Sequence, residues 1–321
     1  MKKRIIIQME GGLGKQIALS SLIPYFVDKY EQIIVVSSHP IVFEHNPNVY
    51  RALSFTTPHA YEDYFKDADD IVYPCGYRDS DFRKRRIHLI EAACNSINIP
   101  YQPEIMKPQM YLTESEKEIV KEFKEKLGSY IIVQAHGGRG VQGGSPANVM
   151  AKDYNIMRME AVVDGLSKLY PTVNVINYAF SNETTIRGTI NLDFSIPIWL
   201  GLLQESEVFI SIDSSLQHMS AINNKKGIVL WGATDPKCFG WEHNINLKGS
   251  CSFNDLHCTR PYFVPSLDLK SDGNVWECST KECMRIDPNR ILDEIRTFDI
   301  NIKKIPSEDI KKYVSLVSKS F

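Results

Sequence analysis

Short apolar runs recur along the chain, each closed by a turn of small or polar residues. Ile5-Ile6-Ile7, Ile33 to Val36, Ile131-Ile132-Val133, Val173 to Ile176, Val208 to Ile212 and Gly227 to Trp231 are such runs. Continuous apolar stretches of this length read as strands buried on both faces, as parallel sheets require. Between them lie segments with helical spacing. Residues 17–26 suit a helix that packs back on the sheet, and 198–204 and 214–222 read as further helices. Residues 113–127 read as an exposed amphipathic helix, opened by Thr113 with Glu116 three residues on and ended by Gly128. Ser307 to Ser318 again has apolar residues at helical spacing. Strand, helix, strand in about 30 residues is the parallel crossover unit.

One run has a near copy. Residues 5–16 read IIIQMEGGLGKQ and residues 131–142 read IIVQAHGGRGVQ, identical at seven of twelve positions. Each is an apolar run followed by a glycine-rich turn, the first step of a strand–loop–helix unit. The echo predicts an α/β chain of two Rossmann-like halves with parallel sheets facing across a cleft. The expected domains are 1–127, 128–300, and a terminal helical segment 301–321 that packs back on the first half.

Composition narrows the function classes. The chain has 321 residues, 43% hydrophobic and 24% charged, with a formal net charge of −2. That is an ordinary globular balance, with no global field to draw it to nucleic acid or membrane. No apolar run approaches the roughly 18 residues of a membrane span. The basic start, Lys2-Lys3-Arg4, is followed by only three isoleucines before Gln8 and Glu10, too short for a signal peptide. The expected location is the cytoplasm. Of seven cysteines, Cys251, Cys258, Cys278 and Cys283 crowd one late stretch, without the two-residue spacing of a zinc knuckle. Reduced thiols and no metal are the expectation.

The most informative segment runs from Phe209 to Pro236, FISIDSSLQHMSAINNKKGIVLWGATDP. It reads as a strand ending at Asp213, a small-residue turn at Ser214-Ser215, a helix, a second strand and a second turn. Free backbone N–H groups at the Ser214-Ser215 turn suit an anion such as a diphosphate. Ligands of open α/β sheets bind beyond the carboxyl ends of the strands, where both turns fall. Plainer roles stand beside this reading: Asp213 as a helix cap, His218 as a core histidine, Thr234-Asp235-Pro236 as a turn.

This segment resembles the donor-binding core of the heptosyltransferase-like family of glycosyltransferases, which have the two-domain GT-B fold. The matching residues are Asp213, Leu216, His218, Gly232, Thr234, Asp235 and Pro236, with Ser215 where the family usually has glycine. Cys283-Met284 with Ile286 and Pro288 matches a late run of the same family. The resemblance implies inverting transfer of a sugar from a nucleotide-diphosphate-sugar to an acceptor hydroxyl, with the nucleotide-sugar as co-substrate and no other cofactor. Asp213, Ser214, Ser215, His218, Thr234 and Asp235 would then face the donor. It also implies a basic residue in or after the loop at His136-Gly137-Gly138-Arg139-Gly140, for which Arg139 and Lys152 are candidates.

The matching loop of the first half is Glu10-Gly11-Gly12-Leu13-Gly14-Lys15. The resemblance implies a general-base aspartate directly after the last glycine, but Lys15 stands there. Glu10 on the same loop is the candidate base. The GGLGKQ run is also similar to the GGLGNQ loop of fucosyltransferases. Two Asp-x-Asp pairs, Asp67/Asp69 and Asp79/Asp81, read as chance rather than metal ligands. Arg83-Lys84-Arg85-Arg86 is the densest basic run, either a solvated face or a contact for a polyanionic acceptor. The acceptor is then a saccharide or a hydroxymethylated base in DNA, which must be flipped out. Tyr73, Tyr77 and Phe82 nearby suit either. A nucleotide-sugar epimerase and a catalytically silent binding module remain alternatives.

Overall fold

The computed structural model describes residues 3–137, 141–142, 145–146, 152–179, 185–232, 234–250 and 282–300. The chain divides into two compact units. Unit 1 is Met1–Thr113 with Lys237–Phe239, and the remainder from Glu114 forms unit 2.

Unit 1 is built on four parallel strands: β1 (Arg4–Met9), β2 (Gln32–Ser37), β3 (Arg51–Ser54) and β4 (Asp70–Val72), in the order β3-β2-β1-β4. Ile5, Ile6 and Ile7 are wholly buried, as a central parallel strand demands. The helical run after β1 begins at the glycine loop, earlier than its apolar spacing suggests, as α1 (Leu13–Leu19) and, after a 3-10 turn at Ser20–Leu22, α2 (Ile23–Val27). Pro24 explains the tightening. It has no N–H to give the Ser20 carbonyl, so the turn closes through Ile23 N–H instead. A 3-10 turn at Gly76–Arg78 leads to α3 (Ser80–Arg83) and α4 (Leu89–Ser96). Gly76 is forced by packing: a Cβ there would lie 2.6 Å from the Ala92 Cβ.

Unit 2 opens with α5 (Glu114–Leu127), which packs with the residues that follow it. Its buried stripe of Val120, Phe123 and Leu127 is the reason. Phe123 stacks edge-on to Tyr130 and Phe194, and Lys124 Nζ donates to the Glu205 carbonyl at 2.6 Å. The sheet strands are β5 (Tyr130–Val133), β8 (Asn174–Tyr178), β9 (Ile190–Leu192), β10 (Phe209–Ile212), β11 (Ile228–Trp231) and β12 (Ile245–Lys248). All pair in parallel, in the order β12-β11-β10-β5-β8-β9. A small antiparallel pair, β6 (Val141–Gln142) and β7 (Ser145–Pro146), follows β5. The helices are α6 (Ile156–Leu169), α7 (Ile196–Glu205), α8 (Ser215–Ser220), α9 (Pro236–Phe239) and α10 (Pro288–Ile295). Asp287 caps α10 by accepting from Asn289 N–H at 2.8 Å, and Pro288 opens it. The late run matched above is core: Cys283, Met284 and Ile286 are buried with Ile291, Leu292 and Ile295 against α6. The expected helix at 307–318 lies outside the described residues.

Both sheets reverse direction beside their first strand. In unit 1 the chain builds outward from β1 through β2 and β3, then returns to add β4 on the other side of β1. In unit 2 it builds from β5 through β8 and β9, then returns to add β10 on the other side of β5. The crevice at such a reversal, at the carboxyl ends of the strands, is where open α/β sheets bind ligands. The two echoed segments occupy equivalent places: each supplies the strand at the reversal and the loop that leaves it.

Candidate functional site

In unit 2, the carboxyl ends of β5, β8 and β10 are tied by polar side chains. Asp213, directly after β10, is 3% exposed and pairs with Lys152 Nζ at 2.7 Å. Burial is the largest influence on its carboxyl and pushes it up. The ammonium of Lys152, the nearby His218 ring and the Thr234 hydroxyl outweigh burial and hold it below the ordinary carboxylate value. Ser214 caps α8 without a side-chain bond to the helix, and its Oγ accepts from Gln134 Nε2 at 3.1 Å. Gln134 Oε1 in turn accepts from Ser211 Oγ at 2.8 Å. Ser215 Oγ shares a 2.8 Å hydrogen bond with Tyr178 OH from the end of β8. His218 is buried, lies 3.0 Å from Gln217 Nε2 through its Nε2, and stands edge-on to Trp241. Thr234 is buried on the turn after β11, while Asp235 beside it is half-buried.

Thus Lys152, Asp213, Ser214, Ser215, His218 and Thr234 come together at one reversal point. Arg139 lies outside the described residues. Asp153 is a member that sequence reasoning missed. It accepts from Gly137 N–H at 3.0 Å and lies 3.3 Å from His136 Nδ1, so it pins the loop leaving β5. Lys152 and Asp153, adjacent in sequence, therefore hold the ends of two neighbouring strands.

In unit 1 the glycine loop leaves β1 next to β4. Gly11 has φ +110°, a backbone conformation that favours glycine, and open space lies where a Cβ of Gly12 would be. Gly14 falls within α1. Glu10 is exposed, and its Oε2 accepts from Tyr73 OH at 3.0 Å. Burial, then this bond to Glu10, pushes the Tyr73 phenol up to about 12. Lys15 is 8% exposed, with Nζ 4.8 Å from the Tyr77 ring centroid. Burial lowers its ammonium from the usual lysine value, and Cys75 and Glu10 offset only part of that.

Other sequence candidates have structural employment. Asp79 caps α3 by accepting from Asp81 N–H at 2.7 Å and Phe82 N–H at 2.9 Å. Asp69 accepts from Arg4 N–H at 2.6 Å. Arg83, Lys84 and Arg86 are exposed, and Arg86 pairs with Asp81 at 3.0 Å. Arg85 is half-buried with φ +57°. Among the described residues no group of three or more His, Cys, Asp or Glu could hold a metal ion, and no helix is long and apolar enough to cross a membrane. Cys75, Cys94, Cys238 and Cys283 are free thiols; the other three cysteines lie outside the described residues.

No protein-family model and no curated protein matches the sequence. Solved structures do match. A family 9 glycosyltransferase from Veillonella parvula is 12% identical with TM-score 0.62, over 92% of this chain and 96% of that one. The E. coli ADP-heptose lipopolysaccharide heptosyltransferase II is 14% identical with TM-score 0.61, over 92% of this chain and 98% of that one. The dodecameric iron-containing heptosyltransferase TibC, solved with ADP-D-β-D-heptose, is 14% identical with TM-score 0.59, over 92% of this chain and 77% of that one. At these identities the likeness is one of fold: the chain has the two-domain GT-B fold of the family 9 heptosyltransferases, with a four-stranded and a six-stranded parallel sheet.

Proposed function

We propose that this protein is a glycosyltransferase that moves a sugar from a nucleotide-diphosphate-sugar to an acceptor hydroxyl, with inversion and without a metal. The observation that carries the reading is the buried Lys152–Asp213 pair, with His218 and Thr234 against it, at the reversal point of the six-stranded sheet. A half-buried ammonium and a buried carboxylate held at a ligand crevice suit a substrate that presents both phosphate and hydroxyl groups. Asp213 holds the Lys152 ammonium in place as an ion pair at 2.7 Å. That cation can face the leaving diphosphate, with Arg139 as a second one. Ser214, Ser215 and Asp235 line the donor side of this reading.

Unit 1 takes the acceptor at the loop of Gly11, Gly12, Gly14 and Lys15. Two groups there can receive the hydroxyl proton: Glu10, the carboxylate expected from sequence, and Lys15. A saccharide is the favoured acceptor. The exposed run of Arg83, Lys84 and Arg86 supports a second reading, a hydroxymethylated base in DNA. The test is nucleotide release from a panel of nucleotide-sugars, with saccharide and modified-DNA acceptors in parallel. Release that requires an acceptor supports transfer. Conversion of the donor without any acceptor points to an epimerase, and no turnover at all sinks the enzyme reading.

A further inference from the structure

Lys15 is the buried member of the two groups on the acceptor loop that can receive the hydroxyl proton. Its side chain folds back along the glycine loop, so that a Cβ on Gly11 would lie 3.1 Å from its Cδ. The residue is 8% exposed, and among the described residues Nζ makes no hydrogen bond and no ion pair. A charged ammonium in that position has lost much of its hydration and gained no protein acceptor among the described residues in return. Its surroundings nevertheless favour the ammonium once it forms. The face of Tyr77 lies 4.8 Å from Nζ, and the Glu10 and Cys75 side chains are close enough to pull its protonation upward. Tyr73 OH fixes the Glu10 carboxylate at 3.0 Å. A desolvated amine flanked by groups that stabilise its conjugate acid is the setting of a lysine base.

We propose that Lys15 is the general base of the transfer reaction and that Glu10 is its charge partner, not the base. This rests on the glycosyl-transfer reading. The acceptor O–H gives its proton to the Lys15 Nζ lone pair while the acceptor oxygen forms a bond to the anomeric carbon. The bond from that carbon to the phosphate oxygen breaks, and its electron pair leaves with the nucleoside diphosphate. The ammonium, supported by the Tyr77 face and the Glu10 carboxylate, returns its proton to water after product release. Burial holds Lys15 below the usual lysine value, so the free amine forms at a lower pH than on an exposed lysine. The groups facing it that titrate are Glu10, Cys75 and Tyr77, with Tyr73 acting through Glu10.

The experiment compares Lys15→Arg, Lys15→Ala and Glu10→Gln with the wild type. It reads nucleotide release, kcat against pH, and donor binding by tryptophan fluorescence. Both lysine variants are expected to lose about 100-fold or more in kcat, with donor binding unchanged. Arginine does not restore activity, because a guanidinium keeps its proton. Added ethylamine restores part of the Lys15→Ala activity. Glu10→Gln keeps kcat within about tenfold and moves the acid limb of the pH profile downward, since an amine without its anionic neighbour deprotonates more readily. Near wild-type turnover in Lys15→Arg overturns the assignment, because charge alone then suffices. Loss in Glu10→Gln beside retained activity in Lys15→Ala overturns it in favour of Glu10. Failure of the wild type to transfer from any donor overturns the underlying reading and the base assignment together.

Discussion

Replacing Lys152 with methionine removes one partner of a buried pair and leaves the other. Asp213 is 3% exposed and the lysine side chain 17% exposed, so water cannot replace the lost ammonium at the carboxylate. Breaking such a pair costs about 3–5 kcal/mol. His218 and the Thr234 hydroxyl still favour the charged carboxylate, which argues for the lower end, about 3 kcal/mol. For a unit of roughly 200 residues that is a fall of about 10 °C in Tm. The sign with pH follows from Asp213. In the wild type its folded value is depressed, so its contribution is present above the unfolded value of about 4 and is lost as pH falls through the folded value. Without Lys152 the folded value rises. The variant then regains stability as Asp213 takes up a proton between neutral pH and about 4, and the two stability curves converge in acid. All four tryptophans, Trp199, Trp231, Trp241 and Trp276, belong to unit 2, so their fluorescence in a urea titration follows this unit alone. The double variant Lys152→Met with Asp213→Asn should recover part of the loss. An offset under about 1 kcal/mol at pH 7, or one that does not shrink toward pH 4, would refute the reasoning.

Gly227→Ala should destabilise unit 2 by about 2 kcal/mol, read as a lower urea midpoint in tryptophan fluorescence, because its Cβ would stand 2.2 Å from Cε1 of the buried Phe209 ring. Asp79→Ala should cost about 1 kcal/mol in unit 1, followed by circular dichroism, and leave turnover intact; divalent-metal dependence lost in this variant would return the Asp-x-Asp pair to the site. Tyr73→Phe should leave the ultraviolet phenolate titration unchanged between pH 9 and 11, since Tyr73 ionises only near 12; a missing tyrosinate in that range would contradict the hydrogen bond to Glu10.

The runs that sequence exposes best are the central strands. Ile5 to Ile7 are apolar throughout, and Phe209 to Ile212 at every position but Ser211, because both faces of those strands are covered. Edge strands are harder to read. Asp70–Val72 is three residues long, with Ile71 53% exposed, and is a strand only because β1 offers it a parallel partner. The order of strands, and with it the reversal points, depends on such edges, so the place of the crevice was legible only in outline. Asp213 stood out from its motif, but nothing in the sequence marks Lys152 as its partner. The pair exists because β5 and β10 are neighbours and the segment at Lys152-Asp153 reaches both of their ends.

The echo was legible in full, yet its meaning lies in where it differs. Alignment of the two copies sets Glu10 against His136 and Lys15 against Val141. In each unit the residue just before the glycine turn is held by a neighbour, Glu10 by Tyr73 and His136 by Asp153. In sequence both copies follow the first strand with a glycine-rich turn. The charges differ. Unit 2 sets Lys152 against a buried carboxylate, which in the proposed reaction makes it a fixed cation for a diphosphate. Unit 1 buries Lys15 without a hydrogen-bonded or ion-paired partner among the described residues, which in the proposed reaction leaves it a lone pair for a hydroxyl. One strand-and-loop element can thus serve a leaving group and a nucleophile, because the partner of a single lysine decides whether it acts as a charge or as a base.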